Sequence, residues 1–212
     1  MPLEYEHAFY EFDKDTVISS IKELGFKKKG KYLFRVQVFN SDKVPYARVR
    51  DEGFRTTLTL KEIDPETNFE NEKEVIINDF DSGVEIMLTL GCTKKYYYEK
   101  IREIWSCKND EIVFDTNPGE PDRMEIESKT NKSLDKLVKK LELTDSIVSN
   151  NYDITEELYG FKIQNISDLR FSTVKKLLGK LSTKNKKEFK KLIEKQLIMY
   201  NKIKNNMSEK VM

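Results

Sequence analysis

Residues 46–62, YARVRDEGFRTTLTLKE, hold two short strands, Tyr46 to Arg50 and Arg55 to Glu62. Side chains two apart in a strand share a face, so Arg48 and Arg50 point one way, as do Thr59 and Lys61. Each strand therefore carries cations where a sheet usually places core.

Outward from this stretch the same spacing recurs with alternating sign. Glu4 and Glu6 precede it; Glu72 and Glu74, Lys100 and Arg102, and Glu125 and Glu127 follow. Buried charge is tolerated only when paired or metal-bound. A closed sheet lined in this way has little structural use, but it has a chemical one: holding a polyphosphate and its divalent metal.

The order of elements repeats. Leu3 to Phe12 reads as a strand, and Asp13 or Asp15 caps a helix with Val17, Ile18, Ile21 and Leu24 at helical spacing before Gly25. Strands follow at Tyr32 to Phe39 and in the two runs above. In the second half Glu72 to Ile77 is a strand, a helix from Asp79 or Asp81 ends at Gly91, and strands follow at Tyr97 to Trp105, Glu111 to Thr116 and Arg123 to Ser128. A shift of about 66 residues superposes the halves, placing Gly25 on Gly91 and Glu6 on Glu72. Two such units predict an α+β fold: an eight-stranded antiparallel β-barrel with a helix outside each half.

After Ser128 come a short helix around Leu134 to Leu141, a loop over Ser149 to Gly160, and a Lys-rich stretch. In that stretch Val174, Leu177, Leu178 and Leu181 form one apolar stripe, and Phe189, Leu192, Ile193, Leu197, Tyr200 and Ile203 another. The division expected is a barrel domain over 1–160 and a helical extension over 161–212. The apolar stripe of the extension would dock on the barrel or on a second subunit, which leaves a homodimer open.

The 212 residues are 38% hydrophobic and 35% charged, with a net charge of +1, which suits a folded domain and argues against binding nucleic acid by bulk attraction. Cys92 and Cys107 match no metal-ligand spacing and read as reduced thiols. No apolar run is long enough to cross a bilayer, so a soluble, cytoplasmic protein without a membrane partner is expected.

Glu4-Tyr5-Glu6, Arg48-Val49-Arg50, Leu58-Thr59-Leu60-Lys61, Lys100-Ile101-Arg102 and Met124-Glu125-Ile126-Glu127 resemble, in order, the signature strands of the CYTH family, the triphosphate tunnel metalloenzymes. The resemblance runs from about residue 3 to Leu158-Tyr159-Gly160. It implies a closed triphosphate tunnel in which Glu4, Glu6, Asp115, Glu125 and Glu127 face Mg2+ or Mn2+, with Glu72 and Glu74 as further acids. Arg48, Arg50, Lys61, Lys100 and Arg102 would cradle the phosphates, and Lys61, Glu4 and Glu6 would carry catalysis. One departure is Ala8, where the family usually has lysine; Arg35 or Lys61 is then a candidate to supply the missing charge.

Such a lining serves two reactions. A metal-activated water attacking the terminal phosphorus hydrolyses a triphosphate; a ribose hydroxyl attacking the α-phosphate gives cyclic AMP and pyrophosphate, the class IV adenylate cyclase reaction. Hydrolysis is the leading expectation, and a non-catalytic nucleotide or polyphosphate binder is the alternative from outside the enzymes. The ligand would be a triphosphate-containing small molecule or nucleotide, or an RNA 5′-end if the Lys-rich tail contacts phosphates. Tyr96, Tyr97 and Tyr98 are candidates to stack on a base, His7 has no expected role, and Trp105 and Phe114 read as core.

Overall fold

The computed structural model describes residues 5–10, 12–43, 45–63, 70–144, 147–148 and 153–208. Strand β1 (Tyr5–Phe9) leads into helix α1 (Lys14–Glu23), which starts where the Asp13 carboxylate accepts the Thr16 amide. Strands β2 (Lys27–Asn40), β3 (Tyr46–Asp51), β4 (Thr56–Ile63) and β5 (Glu70–Ile77) follow. Helix α2 (Phe80–Thr89) is capped by Asp79 in the same way, through the Ser82 amide. Then come β6 (Thr93–Cys107), β7 (Asp110–Thr116), β8 (Arg123–Ser128), α3 (Asn131–Lys140) and the two-residue β9 (Ile147–Val148). The chain ends in α4 (Ile154–Tyr159), β10 (Asp168–Leu169), a 3-10 turn over Val174–Lys180, and α5 (Thr183–Ser208).

The internal repeat is visible in backbone detail. Gly25 and Gly91 both take φ near +90°, at 87° and 88°, a region that glycine enters without strain. Each ends its helix with the same pair of hydrogen bonds: Gly25 to Lys22 and Phe26 to Ile21 in the first unit, Gly91 to Leu88 and Cys92 to Met87 in the second. The long strands β2 and β6 pair with each other and join the two units.

The sheet order is β5-β4-β3-β2-β6-β7-β8-β1-β9, antiparallel throughout, with β10 parallel to β6. The expected closed barrel is therefore corrected to an open sheet: among the described residues no ladder joins β5 or β4 to β1. Part of the outer edge of β1 pairs instead with β9, through Ala8–Val148 and Phe9–Ile147.

The sheet is nonetheless strongly curled. Six strand spacings separate β4 from β1, about 29 Å if flat. Yet Lys61 on β4 lies close enough to Glu6 on β1 to oppose the rise that burial and Glu125 impose on its carboxyl pKa.

Apolar residues cover the convex side in separate groups. Phe9, Trp105, Ile112, Phe114, Met124 and Ile126 pack under α1 and α3; Phe39, Ala47 and Val49 pack under α2; Ile101 packs with Phe171 and Tyr200 of the C-terminal segment. The segment expected as loop before Gly160 contains α4, because Asp153 caps it through the Thr155 and Glu156 amides. No helix among the described residues is long and apolar enough to cross a membrane.

Candidate functional site

Register places the charges. Arg48 pairs with Thr59 and Thr59 with Glu74; Lys61 pairs with Glu72; Arg102 pairs with Asp115 and Asp115 with Arg123; Glu6 pairs with Glu127 and Ala8 with Glu125. Directly paired residues point to the same face. Apart from Arg35 and Tyr97, the described residues expected at the site therefore line the concave face; Glu4 lies outside the described residues.

Two clusters form on opposite halves of the trough. In the first, Asp115, only 2% exposed, accepts from Lys100 Nζ at 2.7 Å and from Arg102 Nε at 2.7 Å and Nη2 at 2.5 Å. Arg102 also reaches Glu125 at 2.6 Å, and Arg123 approaches the other oxygen of that carboxylate at 3.3 Å. Burial alone would raise the Asp115 pKa, but Arg102 and Lys100 hold it well below the usual carboxylate range. Lys100 is lowered from its ordinary value by desolvation and by Arg102.

In the second cluster Glu74 accepts from Thr59 Oγ1 at 2.8 Å and sits 3.4 Å from Arg50 and 3.8 Å from Arg48. Glu72 lies 3.5 Å from Arg48 and 3.2 Å from Lys61. Arg50 also meets the buried Glu52, which Arg55 grips in turn. Desolvation, and then repulsion by Arg48, lower the Arg50 pKa. Phe34 forms the floor between the halves, with Arg50, Lys100 and Arg102 each about 6 Å from its ring, at 5.9, 5.9 and 5.8 Å.

Two guanidinium groups keep donor capacity unused. Arg50 Nε and Arg123 Nε are buried without a hydrogen-bond partner, as is the hydroxyl of Thr57, the cross-strand neighbour of Arg50. Unsatisfied buried donors are costly, so their presence on a cation-rich concave face points to an anionic ligand.

Glu6, Glu125 and Glu127 share the concave face on β1 and β8. Glu6 opens to solvent but lies among protein atoms; desolvation, then the Glu125 carboxylate, raise its pKa, a repulsion that a cation between them would relieve. Among the described residues no three acidic, His or Cys side chains are gathered into a ready cage. A hard cation such as Mg2+ needs none, since it commonly takes one or two carboxylates together with phosphate oxygens. Both oxygens of Asp115 are engaged by Lys100 and Arg102, so its present task is to hold those cations.

The place of Ala8 is now clear. It is buried at 3% exposure, opposite Glu125. Arg35 does not supply the missing charge: it lies between the inward Phe34 and Val36, so it faces the convex side, bonding Asp51 at 2.8 Å and stacking 4.5 Å from the Phe80 ring. Arg123, which the sequence reading passed over, stands beside Glu125. Its signal was present, two positions before Glu125 on the same strand face.

Tyr96 and Tyr98 line the trough with ring centroids 6.1 Å apart, and Arg48 lies 5.9 Å from the Tyr46 ring. Desolvation first, then Tyr46, raise the Tyr98 pKa, while Arg48 lowers it, so these groups face one another. Tyr97 points the other way, against Phe80 and under Arg170.

One end of the trough is set by the loop 117–122. Buried Gln196 of α5 donates to the Asn117 and Glu120 carbonyls at 3.0 and 2.7 Å and accepts the Gly119 amide at 2.9 Å. Within the loop Glu120 is pushed up to about 6, mainly by desolvation, and Asn117 bonds it at 2.7 Å.

The family model of the CYTH domain matches residues 9–156. Among solved structures, the PH1012 protein of Pyrococcus horikoshii OT3 is 22% identical at a TM-score of 0.59, covering 69% of this chain and 94% of its own. A candidate adenylate cyclase of Vibrio parahaemolyticus is 15% identical at 0.58, covering 70% and 94%. The inorganic triphosphatase NE1496 is 15% identical at 0.35, covering 63% and 80%. The first two share the fold. No match is found among curated proteins.

Proposed function

The chain belongs to the CYTH family, whose members are triphosphatases and adenylate cyclases, and on that premise we propose that it hydrolyses the terminal phosphate of a triphosphate bound in the trough. One observation carries this reading. Arg48, Arg50, Lys61, Lys100, Arg102 and Arg123 converge on one concave face, and two of their buried Nε donors have no partner.

The cations neutralise phosphate oxygens, Arg by paired donors and Lys as a point charge. Phosphoryl transfer asks chiefly for position and charge stabilisation, which this lining supplies. Glu6, with Glu125 and Glu127 beside it, would hold Mg2+ or Mn2+, which when bound neutralises phosphate charge and acidifies water. A carboxylate of this group takes the proton of the attacking water. The new P–O bond forms from that water as the bridging P–O bond breaks, releasing orthophosphate. Lys61 faces Glu6 from across the trough and steadies the transferring group.

A second reading, cyclisation of ATP, is favoured by one feature: Tyr46, Tyr96 and Tyr98 gather beside Arg48, where a base could stack. Incubation with tripolyphosphate, ATP and thiamine triphosphate under Mg2+ or Mn2+, with products resolved, separates the readings. Orthophosphate release is expected. Cyclic AMP with pyrophosphate would replace hydrolysis by cyclisation, and binding without turnover would leave a nucleotide or polyphosphate binder.

A further inference from the structure

Charge is very unevenly distributed along the chain. Residues 174–208 hold eleven lysines and two glutamates, whereas the whole protein is only +1, so the remainder is net acidic. Most of this excess lies on α5, beyond the span that the family model matches.

The helix has two faces. Phe189, Ile193, Gln196 and Tyr200 are buried against the body. On the opposite side Lys184, Lys187, Lys191, Lys195 and Lys202 recur at steps of three, four, four and seven residues, all exposed, so they form one stripe about 27 Å long. Among the described residues none of these five is in an ion pair; Glu194 is turned toward Lys190 at 4.0 Å.

We infer that this stripe is a track for the phosphate backbone of a single-stranded nucleic acid. Cations repeated along one side of a rigid rod can each take a phosphate of an extended strand, and releasing counterions from such a chain drives binding. A lipid surface fits less well. The apolar face of α5 that would enter it is already docked, and Ile198, at 73% exposure, is the large apolar residue left in the outward stripe. No aromatic side chain joins the stripe, so binding is expected to be independent of base sequence.

The test is fluorescence anisotropy with a labelled oligonucleotide lacking a 5′-triphosphate, which isolates the track from the trough. The measurement is repeated across a salt series. Changing the five lysines to Gln should weaken binding at least tenfold and reduce the slope of log K against log salt by about 3.5, at ~0.7 per lost phosphate contact. The matching five-Arg variant should retain both, and far-UV circular dichroism should show α5 intact in each. Unchanged binding by the Gln variant overturns the proposal. So does binding only to anionic phospholipid vesicles, or to long-chain polyphosphate but not to the oligonucleotide.

Discussion

Replacing Asp115 by Asn tests whether the trough is organised by charge. Asp115 is almost wholly buried and accepts from Lys100 and from two nitrogens of Arg102, while those cations have side-chain exposures of 13% and 16%. Asn keeps the volume, so no cavity term enters. It leaves two cations facing Glu125 alone. Removing one partner of a buried ion pair costs about 3–5 kcal/mol; because both cations keep an open side toward the trough, about 3 kcal/mol is expected. The carboxyl is held far below its ordinary 3.8, so its stabilisation is complete above that pH and is lost as pH falls through the depressed folded value. Urea unfolding should therefore show the full difference between wild type and Asp115→Asn at pH 7 and a narrowing gap below pH 4. Tripolyphosphate supplies the anionic charge that the variant lacks, so it should stabilise the variant more than the wild type. A loss under about 1 kcal/mol at pH 7, the range of exposed ion pairs, would refute the assignment, as would a gap that stays constant with pH.

Three further outcomes follow from the same geometry. Arg123→Gln should cut tripolyphosphate turnover by about 100-fold, the scale of losing one charge-stabilising donor, whereas Ala8→Lys should change it less than tenfold because Arg102 and Arg123 already serve Glu125; steady-state kinetics reverses this if Ala8→Lys gives the larger change. Glu120→Gln should raise stability at pH 7 by about 1–2 kcal/mol, since a carboxyl raised to about 6 keeps its full stability only below its unfolded value and loses it as pH rises through 6; thermal melts at pH 4 should show no gain. Gln196→Leu strands the Gly119 amide and the Asn117 and Glu120 carbonyls and should destabilise by about 2 kcal/mol or more, with weaker tripolyphosphate binding by calorimetry if the loop carrying Arg123 shifts.

Much of this was legible in the chain because it depends on local rules. The period of two put Arg48 with Arg50 and Glu125 with Glu127, and antiparallel register then carried that choice across neighbouring strands without changing face. Asp13 and Asp79 as caps, and Gly25 and Gly91 as stops, are properties of single residues and their nearest neighbours, so the repeat of strand, helix and strands was readable. Arg123 was readable by the same rule, since it stands two positions before Glu125 on the same strand face.

Other features depend on contacts between residues far apart in sequence. That Ala8 and Phe9 of β1 pair with β9 is a long-range choice that alternation alone cannot make. The curl that brings Lys61 to Glu6 comes from strand twist accumulated across the sheet, whereas Arg102 meets Asp115 by direct register and reaches Glu125 one strand further on. Docking of Gln196 on the loop before Arg123 joins the C-terminal helix to the trough over 77 residues of separation at Gly119. Sequence by itself determined which charges share a face, because side-chain alternation is a property of each strand. Only the tertiary structure decided which charges meet, because that depends on how the whole sheet bends.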